Sequence, residues 1–478
     1  MSEPHSSNES SSTVTQHSQE LEKDIEAVYP PPKEAINEND PDIDGGYAWV
    51  ILAAGVMFNF CTWGMNSGFA IYFAHYIEND TFEGATKIDY AYIGGIAFGV
   101  GLFFSPLVIY MRGIVGYLPI LILGNILQFT SLMLASWSKK LWQLYLTQGL
   151  MQSFGLAFLS LIATPIIGEW FKKKRVFANG AAAAGSGLGG IVFNLGMQKV
   201  VETRDVHWAL RAQAIIGFGI TWIAILLVRS KASTHKLEFN LFEFSVFKFA
   251  GVYYIICFVL CCIFGYVILL YTLANWVQTL GYSSYQASIV SAMVQVGSLF
   301  GRPCVGLLSD KFGGATVASI AYIVAGIFCL AMWIPARNYA TAVIFALIEG
   351  ALMGSVYAVI APVIARTFGL AKMNVVFAQV WVLMGTAGIF SPVIGAKLVK
   401  GSAASIDPTA YQNCAIFAGI MYLAAGGFLL LLRGYLKARD HIFEKDGLTD
   451  SDYQDYTSVR VPVIDVFTNI FAKSKEKA

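Results

Sequence analysis

Long apolar segments dominate this sequence. Roughly every 30 residues the chain turns apolar for about 20 residues and then polar again, about twelve times between Tyr47 and Tyr435. An apolar run of about 20 residues crosses the hydrocarbon of a bilayer as a helix, and a helix satisfies its own backbone hydrogen bonds there. The pattern predicts an all-α membrane protein with twelve transmembrane helices, whose functional site is a cavity between them.

The composition agrees with a membrane protein. Of the 478 residues, 56% are apolar and only 13% are charged, whereas a soluble domain carries about 25% charged residues. The formal net charge of +1 gives no case for a nucleic-acid partner. All seven cysteines fall in apolar spans and indicate packing residues. We therefore expect no disulfide framework, no metal, no cofactor and no enzymatic activity.

The apolar segments divide the chain into two halves. We predict a disordered cytoplasmic tail over 1–46, a six-helix bundle over 47–229, a cytoplasmic linker over 230–248, a second six-helix bundle over 249–435 and a cytoplasmic tail over 436–478. The predicted spans are 48–72, 89–111, 117–137, 141–166, 177–198, 208–229, 249–272, 285–308, 314–335, 340–364, 376–399 and 412–434.

The distribution of Lys and Arg predicts the orientation. With a cytoplasmic N-terminus, the inner loops carry about fifteen Lys and Arg residues and the outer loops about eight. Cytoplasmic loops are enriched in positive charge. Both termini are therefore expected in the cytoplasm.

The two halves share an internal repeat. Residues 176–179 read Val-Phe-Ala-Asn and residues 376–379 read Val-Phe-Ala-Gln, with Gly185 matching Gly385 in the same register. An even number of spans in each half makes the two repeats parallel, and such repeats place a solute site near the midplane between them.

The loop after the eighth span carries a recognisable motif. Residues 301–313 read Gly-Arg-Pro-Cys-Val-Gly-Leu-Leu-Ser-Asp-Lys-Phe-Gly, which resembles the loop signature of the major facilitator superfamily. Gly306 and Gly313 allow close helix contact and a tight turn. Asp310, followed by Lys311, can cap or pair across the cytoplasmic face as the halves move. We assign these four residues to a gating loop.

Three further segments resemble the monocarboxylate porter family, and the polar N-terminal tail and the form of the seventh and eighth spans are similar to its fungal branch. The three segments are Asp-Gly-Gly-Tyr-Ala-Trp-Val at 44–50, the segment 169–186 that enters the fifth span, and His-Trp-Ala-Leu-Arg at 207–211. The resemblance covers about 47–440. It implies a major facilitator fold and a secondary transporter of the plasma membrane, with a vacuolar or other internal membrane left open. One twelve-span chain encloses its own pathway, so we expect it to work as a monomer.

The resemblance also indicates which residues bind the solute. The family's anion-binding arginine maps to Arg302, its aspartate falls on Ser298, and its first-span lysine falls near Asn66 or Ser67. The planar fork of Arg302 can bind a carboxylate bidentately, or it can tie the eighth span to a neighbouring carbonyl.

Glu349 is the other ionisable residue well inside a span. It is either a proton site or a neutral acid bonded to a helix neighbour. By helix rise it lies roughly 5 Å outside the midplane and Arg302 roughly 8 Å inside it, so we expect no direct pair. The other residues predicted to bind substrate are polar groups on cavity-facing spans: Asn66, Ser67, Gln152, Asn194, Gln295, Ser298 and Tyr357. Trp276 could stack on a flat solute, although the membrane interface is its more usual place.

Three functional hypotheses remain open. The leading one is a secondary transporter that moves a small organic, monocarboxylate-like solute by alternating access, with proton symport undecided. The second is a facilitator of a larger solute such as riboflavin. The third is a transporter-like sensor without transport, because the family's lysine and aspartate are absent.

Overall fold

The computed structural model of the chain describes residues 42–79, 81–231, 241–400, 407, 409–445 and 461–470. Within these residues, eleven helices are long and apolar enough to cross a membrane, and one bent helix pair makes a twelfth span. The prediction of twelve transmembrane helices is confirmed. Most of the predicted N-terminal tail, residues 1–41, lies outside the described residues, as do parts of the linker and of the C-terminal tail.

The spans follow one another along the chain as two sets of six. The first set is α1 (Ala48–Phe73), α2 (Lys87–Phe103 and Ser105–Val115), α3 (Tyr117–Ala135), α4 (Leu141–Trp170), α5 (Arg175–Thr203) and α6 (Val206–Leu227). The second set is α7 (Ala250–Thr279), α8 (Ser284–Phe312), α9 (Gly314–Trp333), α10 (Tyr339–Phe368), α11 (Leu370–Leu398) and α12 (Gln412–Lys445). A short helix, α13 (Val463–Thr468), follows.

The second span is bent rather than straight. The sequence predicts one helix over 89–111, but α2 bends by 47° between Phe103 and Ser105. Pro106 occupies the first turn of the second segment. Its ring removes a backbone donor and clashes with the preceding turn, so the helix cannot continue straight through it.

Two helices at one end of the bundle stop at glycines in the left-handed region. Gly313 ends α8 with φ of 98°, and Gly369 precedes α11 with φ of 82°. Residues with a Cβ rarely adopt such angles. The turns lie at the end that also carries Lys172, Lys173 and Lys174, which we call the basic end. At this end α12 runs on to Lys445, past the predicted boundary at 435.

The two halves meet along two long seams. One seam is formed by α5 and α8, and the other by α2 and α11. Small residues bring the backbones together: a Cβ on Gly187 would lie 2.7 Å from the Gln295 carbonyl oxygen, and one on Gly99 would lie 2.3 Å from the Gly385 carbonyl oxygen. Glycine is therefore required for this approach, as in other closely packed membrane helices.

Candidate functional site

A distorted segment of α1 lies at the centre of the contact between the halves. Residues Phe60–Gly64 form a π-helical turn, a local widening that often occurs at functional sites. Gly64 packs on α5, where a Cβ would lie 2.7 Å from the Gly189 Cα. The same turn carries Trp63, whose ring contacts the second half.

Trp63 belongs to a group of five rings that we call the aromatic cluster: Trp63, Phe98, Tyr266, Tyr357 and Trp381. The Trp63 ring stacks on Trp381 with centroids 5.9 Å apart, and it lies 5.4 Å from Tyr357 and 5.3 Å from Phe98. Tyr266 lies 5.8 Å from Tyr357 on the other side. Two rings come from the first half and three from the second, so the cluster joins the halves.

Arg302 lies beside this cluster and is 3% exposed. Its Nη1 donates to the Ala183 carbonyl oxygen at 2.7 Å and to the Ser186 hydroxyl, both on α5. Its guanidinium carbon lies 5.1 Å from the centroid of Tyr357, a cation–π distance. Arg302 therefore ties α8 to a carbonyl of a neighbouring helix, one of the two alternatives that the sequence left open. It also faces the aromatic cluster.

Arg302 has no carboxylate partner among the described residues, where the ion pairs involve other side chains. Three polar atoms here are buried without a hydrogen bond to any described residue: Arg302 Nε, Tyr357 Oη and Trp381 Nε1. Unbonded buried polar atoms are uncommon in native proteins. The group offers one positive charge, two or more donors and flat apolar faces, which suits an organic anion.

A small recess with more apolar than polar surface lies within the first half. Asn66 and Gln152, two of the residues predicted to bind substrate, line it together with Gln148, Gln213, Tyr72 and apolar side chains. The Oε1 atom of Gln152 accepts from Ser131, and that of Gln148 accepts from Tyr76 at 3.4 Å. Both amide nitrogens are thereby left as the donors available to the recess.

The other predicted polar residues lie along the α1–α5–α8 contact. Ser67 donates to the Gly64 carbonyl oxygen at 2.7 Å, and both Ser67 and Gln295 border Gly190 of α5. Asn194 of α5 has a buried Oδ1 without a partner among the described residues. Ser298 is buried on α8, one turn from Arg302.

Glu349 lies apart from this group. It is fully buried in the second half, where Cys329 of α9 donates its thiol to Oε1 at 3.5 Å and Oε2 has no partner among the described residues. The expectation of no direct pair with Arg302 agrees with this placement. Glu349 faces a helix of its own half, so the structure does not bring it to the solute group around Arg302.

The gating loop connects the two halves at the basic end. Asp310 accepts the backbone N–H groups of Val176 at 3.0 Å and Phe177 at 2.8 Å, in the first turn of α5. A carboxylate at a helix N-terminus is favoured by the unpaired N–H groups and the helix dipole. Gly306 packs on the same turn, where a Cβ would lie 2.7 Å from the Phe177 Cα. Gly313 ends the helix, and Lys311 is exposed beside the Phe312 ring.

Asp44 holds the loop just before α5 from within the first half. Its carboxylate accepts the backbone N–H groups of Lys172 at 3.2 Å, Lys173 at 2.9 Å and Lys174 at 3.1 Å. Two carboxylates, one from each half, therefore hold this region: Asp44 binds the loop before α5, and Asp310 binds the first turn of α5. The Asp44 contact gives the first residue of the motif at 44–50 a structural role.

Sequence reasoning missed Trp63 and Trp381 and placed Trp276 wrongly. Trp276, near the end of α7, is buried against Trp333 and Phe345 inside the second half, so its ring does not face lipid. Trp63 could have been singled out from the sequence. Tryptophan is enriched at the ends of spans, so a tryptophan near the middle of one, as Trp63 is, needs an explanation.

Comparison with known proteins decides the family. The family model described as "Major Facilitator Superfamily" matches residues 52–392 and 254–472. The chain belongs to the major facilitator superfamily. The predicted fold, two parallel six-helix repeats, is therefore confirmed, and both relatives and fold are those of transporters.

Two curated relatives come from Saccharomyces cerevisiae. The chain is 43% identical to "Probable transporter MCH2" over 423 residues, which are 87% of this chain and 89% of that protein. It is 29% identical to "Uncharacterized transporter ESBP6" over 86% of this chain and 63% of that protein. Both relatives are described as transporters.

A solved structure supports the fold. The proton:xylose symporter XylE, bound to 6-bromo-6-deoxy-D-glucose, superposes with a TM-score of 0.63 at 12% identity, over 86% of this chain and 98% of that one. At this identity the likeness concerns the arrangement of helices.

Proposed function

We propose that this major facilitator protein is a secondary transporter for a small, monocarboxylate-like organic anion, with Arg302 as the anion-binding group. The observation that carries the proposal is the buried guanidinium of Arg302, which faces the contact between the halves without a carboxylate partner among the described residues. A charge inside a membrane span costs several kcal/mol unless something compensates it, and such residues mark solute pathways. A bound carboxylate would compensate it.

Transport follows from the position of this group between the halves. The described conformation is closed at the basic end, where Asp310 holds the start of α5 and the Ser105 hydroxyl of α2 donates to the Ala378 carbonyl oxygen of α11 at 2.7 Å. Release toward that end requires both contacts to break. In the proposal the basic end is cytoplasmic, the membrane is the plasma membrane, and one chain suffices.

Glu349 supplies the titratable group for proton symport in this proposal. It is the buried carboxyl of the second half that lacks an ion-pair partner among the described residues. Protonation and deprotonation of such a group change its hydrogen bonding to α9, and α9 packs on α8 and α10, which carry Arg302 and Tyr357. Coupling between the proton and the anion would pass through this packing.

A second candidate is a facilitator for a larger flat solute such as riboflavin. The aromatic cluster favours it, because stacked rings from both halves can receive a planar ring system. Arg302 would then bind a polar substituent of the solute.

Uptake into proteoliposomes separates the candidates. A labelled panel of lactate, pyruvate, acetate and riboflavin is tested with and without an inward proton gradient, for the parent chain and for Arg302→Ala. Gradient-driven uptake of a monocarboxylate that is lost in the variant supports the first proposal. Riboflavin uptake that ignores the gradient supports the facilitator. Binding of panel members without flux of any of them would favour a sensor.

A further inference from the structure

The short helix α13 is attached to α12 at one position. Val466 is fully buried, and a Cβ built on Gly434 of α12 would lie 2.2 Å from the Val466 carbonyl oxygen and 3.0 Å from the Ile470 side chain. Only glycine at 434 permits this approach. The contact fixes where α13 lies on the bundle.

The other apolar side chains of α13 point away from the protein. Val463 is 60% exposed, Ile464 75% and Phe467 59%. Removing such side chains from water is favourable. Three neighbouring apolar groups on a six-residue helix therefore indicate a partner.

The face of α12 on which α13 lies indicates what surrounds α13. Ile420, Gly427 and Gly434 follow one another at seven-residue spacing, which keeps them on one face of a helix. Ile420 is 51% exposed, and a Cβ on Gly427 would meet nothing within 4 Å. This face therefore looks outward from the bundle into lipid, and α13 covers its continuation.

The depth of the contact is set by the length of α12. The 22 helical steps from Gln412 to Gly434 rise about 33 Å, and the hydrocarbon is about 30 Å thick. Gly434 therefore lies where α12 leaves the hydrocarbon. Arg433 and Lys437, on either side of it, are cations of the kind found at this boundary.

We propose that α13 is an interfacial membrane anchor, which inserts Val463, Ile464 and Phe467 into the headgroup–acyl boundary of the leaflet at the basic end. Amphipathic helices lie about 5–10 Å into this boundary. In the sequence, residues 471–478 follow with three Lys and one Glu, a charge that suits anionic headgroups. The partner is the lipid leaflet, and the anchor does not depend on which solute is carried.

The linker shows the same arrangement at the same end of the bundle. In its 3₁₀ helix, Phe244–Lys248, Val246 is buried while Phe244 is 72% exposed. Phe242 stacks beside Phe244 with ring centroids 5.8 Å apart. The linker helix and α13 thus each bury one valine, Val246 and Val466, and turn other apolar side chains outward.

An environment-sensitive fluorophore at Ile464→Cys tests the anchor in the full-length protein. The protein is reconstituted in vesicles of phosphatidylcholine and phosphatidylserine that contain lipids with a quencher either near the headgroup or deep in the acyl chain. The expected result is a blue-shifted emission that the shallow quencher reduces more than the deep one. The parent chain, treated in the same way, measures the background from the native cysteines.

A matched pair of α12 variants tests the docking. Gly434→Leu should displace α13 and reduce both the blue shift and the quenching, whereas Gly427→Leu, at an open position, should leave both unchanged. Emission typical of water, or a blue shift that no lipid quencher affects, would overturn the anchor even if Gly434→Leu failed to fold. Equal quenching in both variants would overturn the docking contact.

Discussion

The guanidinium of Arg302 lies over the ring of Tyr357, with its central carbon 5.1 Å from the ring centroid. Arg302 is on α8, and the Tyr357 ring also packs on Trp63 of the first half. One cation therefore contacts a ring group shared by both halves. A solute bound to Arg302 would touch both halves at once, which is the requirement for alternating access around one site.

The first prediction concerns the stacking of Trp63. Trp63→Phe keeps apolar volume but loses part of the ring contact with Trp381 and Tyr357, worth about 0.5–1.5 kcal/mol. Solute affinity should fall roughly 2- to 10-fold. The matched control is Trp276→Phe, whose ring packs inside the second half only. The control should lower the melting temperature without changing the affinity, and an equal loss of affinity in both variants would contradict the role of Trp63.

The second prediction concerns the closed basic end. Asp310→Asn removes a charge that binds the α5 N-terminus from the other half, worth about 1 kcal/mol. Opening at this end should rise about fivefold. The measurement is thiol labelling of Ser105→Cys from that side, compared between chains with and without Asp310→Asn, both of which lack the Ser105 hydroxyl contact with Ala378. Asp44→Asn is the control, because Asp44 binds the loop just before α5 from within the first half and so this contact does not join the halves. Faster labelling in the control as well would assign the effect to the loop rather than to the contact between halves.

The third prediction concerns the glycines of α5. Gly187→Ala would drive a methyl group against α8, where overpacking costs about 1–3 kcal/mol. We expect a lower melting temperature and slower uptake. Gly196→Ala, on the same helix but with nothing within 4 Å of its Cβ, should keep both values. If Gly187→Ala transports like the parent chain, the α5–α8 seam is not closely packed during transport.

The apolar period predicted the twelve spans, because span length is set by the bilayer, and the internal repeat and the motif at 301–313 pointed to the major facilitator fold. Arg302 was singled out because a charge within a span needs compensation and because the family's arginine maps to it, and its role as the anion-binding group stays a prediction. The aromatic cluster was not predictable in this way, because Trp63 and Trp381 meet only through the packing of α1 on α11 across the two halves.

The placement of Glu349 shows a second limit. Its neighbour Gly350 packs on α8, where a Cβ would lie 2.1 Å from the Val294 carbonyl oxygen. Successive residues of a helix are rotated by about 100°, so Glu349 points to α9 instead. The rotation of α10 about its axis decides this, and the apolar sequence around Glu349 does not reveal it.

The fourth prediction concerns proton coupling. Glu349→Gln keeps the shape of the side chain but cannot release a proton. Uptake should continue without a gradient and should lose its stimulation by an inward proton gradient. Cys329→Ala removes the thiol that bonds to Glu349 but leaves the carboxyl, so stimulation should persist. Stimulation that survives in Glu349→Gln would assign the coupling to another group.

The most direct test of the account compares a monocarboxylate with its neutral amide as inhibitors of solute uptake, in the parent chain and in Arg302→Gln. A bond to a charged group contributes about 1.5–3 kcal/mol, so the parent chain should prefer the acid by roughly 10-fold or more. In Arg302→Gln the two compounds should inhibit equally. An unchanged preference for the acid in Arg302→Gln would contradict the assignment of Arg302 as the anion-binding group.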